Sequence, residues 1–140
     1  MKQAKLRRLV LGAMVGLSLA ASGIVATAAP ASAATPESAR LYITPSQEHP
    51  GYYNVVVSGH FNTTASSTTV GMRLKGADVW FDDDLGVSAT GQAWYGDFSL
   101  HALVWHGTLN EDPEGRDEIY ASVRSSTGWS RNTAEVTGYF

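Results

Sequence analysis

A chain of 140 residues with 16% charged side chains and no cysteine can bury one modest core, and it must do so without disulfides or thiolate metal ligands. Its 13 acidic residues outnumber its 10 basic ones, for a formal charge of −3. A field of that sign opposes nonspecific binding to nucleic acid and to anionic lipid.

Residues 1–33 read as an export signal. Lys2, Lys5, Arg7 and Arg8 form a basic head, an apolar run follows from Leu9 to about Ala21, and Ala31-Ser32-Ala33 supplies the small residues a signal peptidase accepts. Gly12, Gly16, Ser18, Ser22 and Gly23 interrupt the run, and no basic stop follows it, which argues against a membrane span. The expectation is a single secreted domain over 34–140, extracellular and not anchored in a membrane, of a kind that suits a Gram-positive bacterium. Removing the leader leaves Arg40, Arg73, Lys75, Arg116, Arg124 and Arg131, six cations against 13 carboxylates, a formal charge of −7.

After a short spacer, Ala34 to Ser38, Leu41-Tyr42-Ile43 predicts a brief strand that Pro45 limits. Tyr52 to Phe61 predicts a half-buried strand with Tyr53, Val55, Val57 and Phe61 on one side. Thr69 to Lys75 alternates cleanly, with Val70, Met72 and Leu74 inward and Arg73 and Lys75 toward water. Val79-Trp80-Phe81 forms another short strand before the acidic run Asp82-Asp83-Asp84. Gly86 and Gly91 bracket a predicted polar turn, after which come strands from Gln92 to Trp94 and from Phe98 to Trp105. Thr108 to Asp117 reads as an irregular stretch turned by Pro113 and Gly115. Glu118 to Arg124 places Ile119, Ala121 and Val123 inward, and Thr133 to Phe140 ends the chain as a strand with Ala134, Val136 and Phe140 on the core side.

About seven short strands with turn signals between them, and no sustained helical period, predict an all-β fold of the β-sandwich type. The segment Asp117-Glu118-Ile119-Tyr120-Ala121-Ser122-Val123-Arg124, a polar turn, and Thr133-Ala134-Glu135-Val136-Thr137 resemble the last hairpin of immunoglobulin-like and fibronectin type III-like domains of bacterial secreted proteins. That resemblance implies an immunoglobulin-like β-sandwich. The cysteine pair of antibody domains is absent, and a jelly roll or small barrel gives a similar strand rhythm.

No motif carries catalysis. The four histidines form no His-x-His or His-Glu-x-x-His pattern, and no serine stands in Gly-x-Ser-x-Gly. The reading is therefore a non-catalytic binding or structural module without cofactor, with a cell-wall or other polysaccharide or an extracellular protein as its partner. Trp80, Trp94, Trp105 and Trp129, with Tyr95, are the candidate ligand-binding residues, because exposed rings stack on the apolar faces of sugars. An alternative reading has the 109–116 loop entering an enzyme's cleft as an inhibitor. A further alternative is calcium held by Asp82, Asp83, Asp84, Asp112 and Asp117, since loop carboxylates can supply the oxygens such a cation requires. Solvated turns account for the same acidic residues.

Overall fold

The computed structural model describes residues 34–77, 82–110 and 115–140. The export-signal reading of 1–33, the Val79-Trp80-Phe81 strand and Asp112 lie outside the described residues. Among the described residues eight strands and one helical turn follow in order: β1 Ser38–Pro45, β2 Tyr52–His60, β3 Ser67–Gly76, β4 Asp83–Trp94, β5 Asp97–Trp105, α1 His106–Leu109, β6 Asp117–Ser125, β7 Ser130–Asn132 and β8 Val136–Gly138.

All eight strands belong to one sheet, ordered β1-β2-β5-β4-β3-β6-β7, with β8 paired to β6. The sheet rolls until β1 comes up against β6, β7 and β8. This near-closed barrel corrects the expected immunoglobulin-like β-sandwich, which would require two separate sheets facing each other. The β4–β5 hairpin is what joins the halves, through the pair Trp94 and Asp97. Its two-residue turn, Tyr95-Gly96, has positive φ at both positions, +51° and +92°, the geometry of the type I′ turns that favour tight hairpins. Gly96 is needed there for a second reason, because a Cβ would collide with the Phe61 carbonyl oxygen.

Alternation inside the strands was legible and holds. Val55 and Val57 of β2, Val70, Met72 and Leu74 of β3, and Ile119, Ala121 and Val123 of β6 are buried, with Leu41, Phe61, Phe98, Leu100, Val104 and Leu109 completing the interior. Each of the valine, leucine, isoleucine, phenylalanine and methionine side chains among them, when fully buried, contributes about 1.5–3 kcal/mol of transfer free energy. One polar atom sits among them unsatisfied: the Thr68 hydroxyl has no hydrogen-bond partner among the described residues.

Two local expectations are corrected. Gly86 and Gly91 do not bracket a turn but lie within the twelve-residue β4. Gly86, at φ +69°, sits where the β3–β4 register shifts between Arg73 and Lys75, so the strand bulges and continues. Gly91 faces inward, where a Cβ would stand 2.8 Å from Leu100 Cδ2. The end of the chain also differs: Thr133 is buried and Ala134 exposed, and the strand expected over 133–140 is reduced to β8, split by residues 133–135 from β7, which forms before it at Ser130–Asn132. Thr133 explains the split, since its Oγ1 accepts the Ala121 N–H and its own N–H donates to the Ala121 carbonyl, both at 2.9 Å.

Candidate functional site

The barrel presents two unlike outer faces. On β1, β2 and β5, cross-strand pairing sets Tyr42 beside Val56, Val56 beside His101, Asn54 beside Leu103 and Tyr52 beside Trp105. Tyr42, Tyr52, Leu103 and Trp105 are exposed, and the surface over Val56 and Leu103 dips into a shallow depression of about 430 Å³. Trp105 is held rather than loose. Its ring lies over Gly107, where a Cβ would collide with it, and 4.6 Å from the His106 ring.

The face made by β4, β3 and β6 is polar. At one end Trp94 pairs with Ser67. Next, the Ser67 hydroxyl donates to Gln92 Oε1 at 2.9 Å and Gln92 Nε2 donates to Thr69 Oγ1 at 3.3 Å. Beyond them opens a depression of about 580 Å³ lined by Gly71, Ser88, Thr90 and Ser122. Arg73, Lys75 and Arg124 rim it. Asp84 lies between two of these cations, 3.5 Å from Arg73 Nη1 and 3.6 Å from Lys75 Nζ. Its carboxyl is held below the usual carboxylate range, chiefly by the Gly86 N–H it accepts, burial opposing, with Lys75 and Arg73 adding to the lowering. At the far end, the Tyr120 hydroxyl donates to Asp82 Oδ2 at 2.7 Å, and that bond is the main reason its ionisation is pushed up to about 12.

The expected ligand-binding tryptophans therefore separate. Trp80 lies outside the described residues. Trp94 is 62% exposed at the β4–β5 tip, with Tyr95 beside it at 70%, whereas Trp105 stands at the opposite end of β5 on the other face. Trp129 is half-buried. It stacks on Phe61 at 4.9 Å between ring centroids, meets Phe98 edge-on at 5.9 Å, and donates from Nε1 to Glu37 Oε2 at 3.2 Å. Glu37, assigned to the spacer on sequence grounds, also accepts the Asn62 N–H through Oε1, and its carbonyl accepts a 2.7 Å bond from Arg131 Nη1. Together these contacts clasp the seam where β1 meets the end of the barrel. No sequence signal singled out Glu37, because its partners are 25 to 94 residues away.

Among the described residues the acidic side chains do not converge on a cation. Among the described residues no group of three or more His, Cys, Asp or Glu is placed to hold a metal ion. Asp82 is engaged by Tyr120, Asp84 by protein cations, Asp83 is exposed, and Asp117 is buried at the start of β6. Of the 109–116 loop, Leu109 is fully buried and fixes the loop's first residue in the core, while 111–114 are outside the described residues. The chain matches no protein-family model, no curated protein and no solved structure.

Proposed function

We propose that this small, mostly-β domain is a non-catalytic module that binds polysaccharide outside the cell through the outer face of β4, β3 and β6. The observation that carries the reading is Tyr95. An aromatic residue at φ +51° occupies a left-handed conformation that glycine or asparagine adopts at lower cost, yet its ring is 70% exposed and recovers little burial. Backbone strain without a packing return points to a use at the surface. The turn is also braced from both sides: the Tyr95 N–H donates to the Ser66 carbonyl and the Gly96 carbonyl accepts the Phe61 N–H, each at 3.1 Å.

Beside this tip, the exposed Trp94 ring can stack on a pyranose. The adjoining amide and hydroxyl groups of Gln92, Ser67 and Thr69 offer the hydrogen bonds that sugar hydroxyls exchange. A stable face lined with such groups orients a chain of sugars without reacting with it. Affinity electrophoresis against a panel of plant and bacterial wall polysaccharides tests the reading. Wild type is expected to be retarded by at least one of them, and Trp94→Ala and Tyr95→Asn to migrate faster in that gel. Retardation equal for all three proteins would refute it. The extracellular setting has its own check, recovery of the protein from culture medium with Ala34 as its first residue.

A further inference from the structure

We infer that the depression over Gly71 is an oxyanion subsite, so that the polysaccharide bound on this face carries carboxylate or phosphate groups. This rests on the sugar-binding reading above and names the class of sugar chain.

Charge distribution is the first argument. Residues 34–140 contain six cations against 13 carboxylates, yet three of the six, Arg73, Lys75 and Arg124, rim one depression. Only the Asp84 carboxylate bridges any of them among the described residues, which leaves a formal charge of +2 at the rim of an acidic domain. Two of the other three cations are engaged elsewhere, Arg131 on the Glu37 carbonyl and Arg116 over the Tyr139 ring. Charge complementarity thus selects an anionic occupant.

Register is the second argument. Gly71 pairs with Arg124, and Arg73 with Ser122, which makes the two arginines diagonal neighbours, about 7–8 Å apart at the backbone. Guanidinium groups are planar forks matched to carboxylate and phosphate oxygens, and at this spacing both can turn toward one oxyanion. Hydroxyls of Ser88, Thr90 and Ser122 line the same depression and can donate to the oxygens that remain.

Gly71 is the third. It lies mid-strand on the outer side, its φ is not positive, and a Cβ there would make only ordinary contacts, 3.7 Å to the Ala89 carbonyl oxygen and 3.8 Å to Thr90 Oγ1. Neither backbone conformation nor crowding calls for glycine, and glycine weakens a strand. What its missing side chain provides is room in the depression it lines.

The test compares polygalacturonate, its methyl ester, a phosphomannan and a neutral mannan by isothermal titration calorimetry on the purified protein, with Gly71→Val and Arg124→Gln alongside wild type. At least one acidic polymer is expected to bind wild type tenfold or more tightly than its uncharged counterpart, and which of the two does so identifies the anion. That affinity is expected to fall as salt rises. Gly71→Val should lose it tenfold or more while melting no lower than wild type, a combination that separates a filled subsite from a damaged fold. Arg124→Gln should lose it comparably. Equal affinity for acidic and uncharged polymers would overturn the anionic subsite and leave sugar binding standing. Absence of binding to all four would overturn both. A Gly71→Val protein that folds and binds the acidic polymer unchanged would also overturn the subsite.

Discussion

The two outer faces of the barrel are built by the same alternation of inward and outward residues, yet they expose different chemistry, one richer in large apolar side chains and the other in cations. On β1, β2 and β5 the outward positions hold Tyr42, Val56, Leu103, Tyr52 and Trp105 beside Asn54, Ser58 and His101, whereas on β4, β3 and β6 they hold Trp94, Gln92, Thr69, Gly71, Arg73, Lys75, Ser122 and Arg124. Both faces sit on one shared core and meet at two junctions, the Tyr95-Gly96 turn and the Glu37 clasp. Strand alternation therefore decides what is buried, and the outward set is left to carry the difference in function.

Breaking a junction is expected to have the largest effect. Trp129→Ala removes a ring stacked on Phe61 and the donor to Glu37, and about 3 kcal/mol of unfolding free energy should be lost in urea denaturation. The faces themselves come next. Trp94→Ala should weaken polysaccharide binding about tenfold, near 1.4 kcal/mol, while Trp105→Ala leaves it unchanged; calorimetry on the two variants reads the contrast directly. Smaller effects are expected from two residues that work against the fold. Thr68→Val replaces an unsatisfied buried hydroxyl by a methyl group and should stabilise by about 1 kcal/mol. Tyr95→Asn relieves the left-handed strain and should stabilise by about 1 kcal/mol, even as it weakens binding.

The smallest expected effect concerns pH. Tyr120 ionises near 12 in the folded chain against 10 for an ordinary tyrosine. The proton is held more tightly in the folded state, so the stability this group contributes is complete below pH 10 and is lost as pH rises through 12. Ultraviolet titration should show one phenol ionising late, and Asp82→Asn should bring it back toward 10. Asp84 has the opposite sign. Its lowered pKa gives a contribution present above about pH 4 and lost as the solution is acidified through the folded-state value.

Much of the strand plan was readable because β2, β3 and β6 each alternate with apolar residues facing in and polar ones facing out. The closure of the sheet was not, since strand rhythm is the same for a sandwich and a barrel, and a two-residue turn opening on Tyr95 lacks the usual asparagine signal. Gly86 and Gly91 misled for a related reason: one serves a bulge and the other makes room for Leu100, and neither purpose is visible without the neighbouring strand. At the site, the period-two spacing of Gly71, Arg73 and Lys75 places them on one side, but Arg124 joins them only through the β3–β6 register. Trp129 reads as a candidate ligand-binding ring in the sequence because the Phe61 ring and the Glu37 carboxylate that enclose it are distant along the chain.

Amide chemical-shift mapping with the retained polysaccharide tests the division of labour between the faces most directly. The account predicts shifts at Gly71, Ser88, Thr90, Ser122 and the Trp94 indole, with Val56, Leu103 and Trp105 still. Shifts concentrated on Tyr52, Leu103 and Trp105, with Gly71 and Trp94 unmoved, would contradict it.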